Sequence, residues 1–170
     1  MGGYRKGFKR ADKRWVDDTG REWDSRFEWL VYTSLQSSGY DIRRCNERDT
    51  VDYGTPVRNG LCLDCSGDKV LQKRTYTSDL YVMGDKTKNV KGGYLLELKG
   101  YWQPAKRTLF RYISKQCVKQ GISLRIVFES GNKLRGSQLT GPEYVKKYCK
   151  EVIPGVFNKK TKDIEWFYEF

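Results

Sequence analysis

Apolar residues recur at helical spacing in three stretches of the chain. Phe27, Leu30, Val31 and Leu35 follow Asp24-Ser25, either of which can cap a helix beginning near Arg26, and Ser37-Ser38-Gly39 closes the run. Leu109, Tyr112, Ile113 and Val118 predict a second helix after Lys106-Arg107, ending near Gln120-Gly121. Gly141-Pro142 opens a third through Tyr144, Val145 and Tyr148. Strand patterns fill the intervals: residues 40–44, residues 50–53, residues 73–83 read as one continuous strand, a short strand from residue 94 bounded by Gly92-Gly93 and Gly100, and the β-branched run 122–129. Gly54, Pro56 and Asn59-Gly60 read as turns, and Gly84 to Gly93 as a polar turn. The order predicts one α/β domain, a mixed β-sheet flanked by helices.

Within residues 94–102 the alternation carries a charge pattern. Glu97 and Lys99 fall on one face of the predicted strand, while Leu96 and Leu98 fall on the other. A carboxylate and an ammonium buried together are costly unless they pair or hold a metal.

Composition narrows the chemistry. The 170 residues include 33 Lys and Arg against 21 Asp and Glu, a net charge of +12, which favours a polyanionic partner, nucleic acid first. There is no His, so Ser-His-Asp and Cys-His catalysis and His-ligated zinc are excluded. Any enzyme on this chain works with carboxylates, Lys, Tyr, Cys or a metal held by oxygens. Five Cys at uneven spacing fit reduced thiols better than a disulfide framework. With no long apolar run and no apolar leader, the expected protein is soluble and cytoplasmic (host cytoplasm if phage-encoded), without a membrane partner.

Residues 1–24 read as a flexible basic arm, rich in Lys and Arg at the start with Tyr4 and Phe8 interleaved, and residues 25–170 as a single domain. Cys62-Leu63-Asp64-Cys65 has the spacing of a zinc knuckle or redox pair. It has no matching second pair, and Cys45 supplies at most a third ligand, so a solvent-facing hairpin tip is expected there rather than zinc.

Asp79, seventeen residues, then Glu97-Leu98-Lys99 is the acidic, acidic-x-Lys spacing of the PD-(D/E)xK nucleases. Two carboxylates on adjacent strands converge on a hard divalent cation and leave room for water and a phosphate oxygen. A neighbouring Lys orients that water or stabilises the charge that builds on phosphorus. Glu28, in the first turn of the first helix, reads on its own as a favourable dipole interaction.

Four ordered segments carry a resemblance: residues 25–28 (SRFE), residues 76–80 (YTSDL), residues 97–102 (ELKGYW), and residues 124–128 (LRIVF) followed by Lys133-Leu134, Gly136-Ser137 and Tyr148-Cys149. From Ser25 to about Pro154 the chain resembles the podoviral endonuclease I family, the coliphage T-seven type of Holliday-junction resolvase. The resemblance implies a PD-(D/E)xK nuclease core, metal-binding carboxylates at Asp79 and Glu97, a catalytic lysine at Lys99 and a helix carboxylate at Glu28 that joins the metal site. It implies Mg²⁺, with Mn²⁺ as the alternative, as cofactor. It also implies an intertwined, domain-swapped homodimer in which Glu28 of one chain joins Asp79, Glu97 and Lys99 of the other. Two departures stand out: Ser78 replaces the family's proline, and residues 54–72, with the CxxC, look like an insertion.

The function expected is metal-dependent, structure-selective DNA endonuclease activity that resolves four-way junctions by phosphodiester hydrolysis. The alternatives are a less selective nuclease acting on branched or mismatched DNA, and a non-catalytic junction-binding protein. Candidate DNA contacts are Arg5, Lys6, Lys9 and Arg10 in the arm, Lys106 and Arg107 beyond the charged strand, and Lys133 and Arg135 beyond the apolar strand.

Overall fold

The computed structural model describes residues 14–61, 69–85 and 92–167. In chain order the elements are β1 (Trp15–Val16), β2 (Glu22–Trp23), α1 (Arg26–Ser37), β3 (Tyr40–Arg44), β4 (Thr50–Leu61), β5 (Lys69–Thr77) and β6 (Leu80–Asp85). They continue with β7 (Tyr94–Lys99), α2 (Pro104–Lys119), β8 (Leu124–Phe128), α3 (Gly141–Tyr148), β9 (Ile153–Asn158) and β10 (Asp163–Trp166).

Six strands make one mixed sheet in the order β10-β9-β8-β7-β6-β3. The pairs β7/β8 and β8/β9 are parallel, each joined by a crossover through a helix, whereas β3/β6, β6/β7 and β9/β10 are antiparallel. The period of two in β7 divides the core. Leu96 and Leu98 face α1, joining Phe27, Val31 and Leu35 of that helix with Leu80, Val82 and Val127. Leu95 faces the other way, into a layer with Phe110, Ile113 and Cys117 of α2, Val145 of α3, and Ile126 and Phe128 of β8. Burying each of these large apolar side chains contributes about 1.5–3 kcal/mol, so slipping β7 by one residue would place Glu97 under α1 and is strongly resisted.

Local signals explain the helices. Ser25 caps α1, its Oγ accepting from the Glu28 amide at 3.2 Å. Thr140 caps α3 in a reciprocal capping box with Glu143, and Pro142 occupies the first turn. Pro104 likewise starts α2.

The strand boundaries differ from expectation at three places. The predicted strand over 73–83 is two strands, broken at Ser78-Asp79: β5 belongs to a separate two-stranded ribbon with β4, and β6 to the main sheet. Gly54, Pro56 and Asn59-Gly60, read as turns, lie inside β4. A two-stranded ribbon has free edges, so Pro56 removes no bond the fold needs, and the register skips between Pro56 and Leu61. Much of the expected insertion at 54–72 is therefore the outer part of this ribbon, while Cys62 and Cys65 lie outside the described residues. The C-terminal hairpin β9–β10 was not anticipated; it completes one edge of the sheet.

Residues 14–23, assigned to the arm, build the β1–β2 hairpin, which buries Trp23 and packs on α1 through Trp15–Trp29 and Trp23–Tyr32 ring contacts. Arg5, Lys6, Lys9 and Arg10 lie outside the described residues. Cys45, Cys117 and Cys149 are free thiols. Among the described residues no helix is long and apolar enough to cross a membrane.

Candidate active site

The break at Ser78-Asp79 turns the chain from the ribbon into the sheet and sets Asp79 beside β7. Leu80 pairs with Leu96, so Asp79 and Glu97 are the next residues along the two antiparallel strands. Asp79 Oδ2 accepts a 2.6 Å hydrogen bond from the Leu98 amide. The aspartate is thus tied to the strand that carries Glu97 and Lys99. Through its backbone carbonyl it also accepts from the Cys45 amide at 3.2 Å, joining β3's exit to the same corner.

Glu97 is buried, 4% exposed. Its two oxygens are divided: Oε1 pairs with Lys99 Nζ, while Oε2 accepts from the Tyr76 hydroxyl and, at 3.3 Å, from Ser78 Oγ. Tyr76 is the penultimate residue of β5, so the ribbon is hydrogen-bonded directly to the central carboxylate. Sequence reasoning did not single out Tyr76 or Ser78 for this task. The signal was available in the strand period, because Tyr76 and Ser78 stand two apart just before Asp79.

The electrostatics follow from burying like charges. Burial, then repulsion from Glu97, pushes the Asp79 carboxyl up to about 8, with Lys99 and the Leu98 amide opposing. Lys99 is pulled down by burial, but Glu97 and Asp79 outweigh this and leave it above its ordinary value. Tyr76 is driven well up by burial and by the neighbouring carboxylates. Burial raises the half-buried Cys45 thiol to about 12, an unreactive value that sets it apart from a nucleophile.

Glu28 stands at the N-terminal turn of α1. Burial and Asp24 raise its carboxyl, and Arg44 and Lys99 draw it back down. Asp79 and Lys99 in turn both feel Glu28 of the same chain. The structure therefore brings Asp79, Glu97 and Lys99 together and leaves Glu28 at electrostatic range. Among the described residues no three carboxylate or thiol side chains are grouped closely enough to share one metal ion.

Two cavities flank the site on either side of Tyr101-Trp102. One, of about 240 Å³, is lined by Tyr76, Glu97, Lys99, Gln103 and Lys106. The other, of about 250 Å³, is lined by Lys99, Ser130, Asn132, Lys133 and Arg135. Lys99 borders both. Lys106, Lys133 and Arg135 are exposed at their rims, as a contact to an anionic polymer requires.

Arg107 is a correction. It is buried, 4% exposed, and donates through Nε and Nη2 to the Trp102 carbonyl at 3.1 and 2.9 Å and through Nη2 to the Arg135 carbonyl at 2.8 Å. With its fork committed to two carbonyls it holds the loops that carry Trp102 and Arg135 and is withdrawn from phosphate. Trp102 itself is a core aromatic, packed against Phe110, Phe128 and Tyr144 at 5.4 Å each.

A cavity of about 650 Å³ lies elsewhere, between the ribbon's base and the end of α2, with Asp52 among its lining residues. Comparison of the chain with protein-family models, with curated proteins and with solved structures finds no match.

Proposed function

We propose that the chain is a metal-dependent, structure-selective DNA endonuclease that resolves four-way junctions. The observation that carries this reading is the Asp79–Glu97–Lys99 corner: a carboxylate at the entry to β6 beside a second on β7, with a lysine on the same face as the second, between two cavities rimmed by lysine and arginine. The resemblance to the podoviral resolvases narrows nuclease to junction resolvase.

The donor set fits a hard divalent cation. Asp79 and Glu97 offer only oxygens, and the Asp79 carboxyl is raised first by burial and then by Glu97 beside it. Asp79 and Glu97 would hold Mg²⁺ or Mn²⁺, with Glu28 stabilising its hydration shell from α1. Bound there, the ion supplies an activated water and charge for the phosphate oxygens. Lys99 leaves Glu97 for the phosphate and stabilises the charge that develops on it. Tyr76 and Ser78 fix Glu97 Oε2, which restricts the rotation of that carboxylate. Lys106, Lys133 and Arg135 contact backbone rather than bases, so binding reads shape and falls steeply with salt.

Paired incisions at a two-fold junction require two sites, so the working form is proposed as a homodimer. A swap of α1 between protomers would reproduce the same contacts across chains, because domain swapping exchanges an identical element.

Incubating a four-way junction and a linear duplex with wild type, Glu97→Ala and Lys99→Ala in Mg²⁺ tests the reading. Wild type should cut the junction in preference to the duplex, and both variants should bind without cutting. Equal cutting of both substrates would favour the less selective nuclease. Binding without cutting by wild type, in Mg²⁺ or Mn²⁺, would leave only a junction-binding protein.

A further inference from the structure

The rim residues anticipated from the sequence lie beyond β7 and β8. A second basic surface lies on the other flank, around the β1–β2 hairpin. Arg44, the last residue of β3, pairs with Leu80, the residue after Asp79, and its charge reaches Glu28. Its guanidinium sits over the buried Trp23 ring at 5.2 Å and donates to the Glu22 carbonyl at 2.9 Å. Arg21 sits over the same ring at 5.9 Å, and Arg26, at the start of α1, over Trp15 at 5.2 Å.

These guanidiniums differ from their neighbour Arg43. Arg43 spends its fork on Asp49, at 2.5 and 2.7 Å, and is neutralised. Arg21, Arg26 and Arg44 are exposed, and among the described residues none of them meets a carboxylate within salt-bridge distance. Stacking on indole fixes where each cation stands while leaving most of its donors unused. Exposed guanidiniums set against indole rings, with no ion-pair partner among the described residues, describe a surface shaped for oxyanions.

We infer that Arg21, Arg26 and Arg44, mounted on Trp15 and Trp23, form a phosphate track that grips the DNA backbone on the α1 side of the active site. This inference rests on the DNA reading above. It gives the hairpin a purpose that packing on α1 alone does not require, and it places the scissile phosphate between two basic flanks. Lys106, Lys133 and Arg135 hold one side of the bound strand, and the arginine–tryptophan track holds the other.

The test is binding without cleavage, with Ca²⁺ replacing Mg²⁺, measured for a four-way junction over a range of salt. Arg21→Glu combined with Arg26→Glu reverses two track charges and leaves Arg44's bond to the hairpin in place. Lys160→Ala, in the turn between β9 and β10 on the opposite edge of the sheet, serves as the control. The double variant should bind at least about tenfold more weakly and lose about two units of salt slope, one per phosphate contact. Lys160→Ala should behave as wild type. Arg44→Lys, which keeps charge and loses the planar fork, should weaken binding while leaving the unfolding temperature within a degree or two. If wild type binds with a salt-dependent affinity and the double variant keeps both affinity and slope, the track is refuted and the endonuclease reading stands. Failure of wild type to bind any DNA would remove both.

Discussion

The Leu98 amide donates to Asp79 Oδ2 at 2.6 Å, so a carboxylate at the entry to β6 is positioned by the backbone of the strand that bears the other. Glu97 and Lys99 flank that amide in sequence. The geometry of the pair therefore survives changes that keep an acceptor at position 79. Asp79→Asn retains a carbonyl oxygen for Leu98 and should fold with thermal stability close to wild type near pH 4 and above it near pH 8, while metal-supported cleavage falls by at least about a hundredfold. A variant that cut junctions at the wild-type rate would remove Asp79 from the mechanism.

Tyr76→Phe isolates the ribbon's bond to Glu97. It takes away a hydroxyl donor to a buried carboxylate paired with Lys99, which costs about 1.5–3 kcal/mol. Calorimetry should show that loss in metal-free protein. Cleavage should drop with the apparent Mg²⁺ affinity changed as well, since Glu97 is freed to rotate. Wild-type stability and metal affinity together would show that the hydroxyl positions nothing.

Proton binding at Asp79 gives a pH dependence of definite sign. Its carboxyl titrates at about 8 when folded against 3.8 ordinarily, so between those values the folded chain holds a proton that the unfolded chain has released. Stability of the metal-free protein should therefore decline as pH rises from about 4 to about 8 at this site, and Asp79→Asn should flatten that slope. A cation must displace the same proton, so Mg²⁺ affinity should climb with pH, by up to about tenfold per unit, and level off above about 8. Titration calorimetry at several pH values checks both the affinity and the released proton.

Arg107→Ala leaves the Trp102 and Arg135 carbonyls without their donors in a buried setting. Unfolding should become easier by roughly 2–4 kcal/mol, whereas the salt slope of DNA binding should stay as in wild type. A shallower slope with unchanged stability would return Arg107 to the surface contacts.

Glu28 interacts with Asp79 and Lys99 of its own chain. For a site closed within one chain, mixing Glu28→Ala protein with Lys99→Ala protein leaves every site with one defect, and nicking should not return. Recovery after confirmed chain exchange would show that α1 is traded between protomers.

Much of this site was legible in the chain itself. Ser25 marked the start of α1, and the alternation of Leu96 and Leu98 with Glu97 and Lys99 gave the two faces of β7, because burial on one face enforces a period of two. The division of residues 73–83 was hidden, since Thr75, Tyr76, Thr77, Leu80, Tyr81 and Val82 all favour strands and only tertiary pairing decides which sheet each joins. Pro154 and Gly155 masked β9 in the same way, by looking like breakers where a parallel neighbour holds them extended. Arg107 was misread because Lys106-Arg107 looks like one solvated pair, while a helix turns adjacent residues about 100° apart, one outward and one inward.

The ribbon of β4 and β5 meets the main sheet's chemistry at the end where Tyr76 bonds Glu97 and the chain crosses at Ser78 to Asp79. Mechanically this makes the ribbon a lever whose short arm ends on both carboxylates. A load on its outer strands, from a DNA arm or a second protomer, would be delivered to the spacing between Asp79 and Glu97.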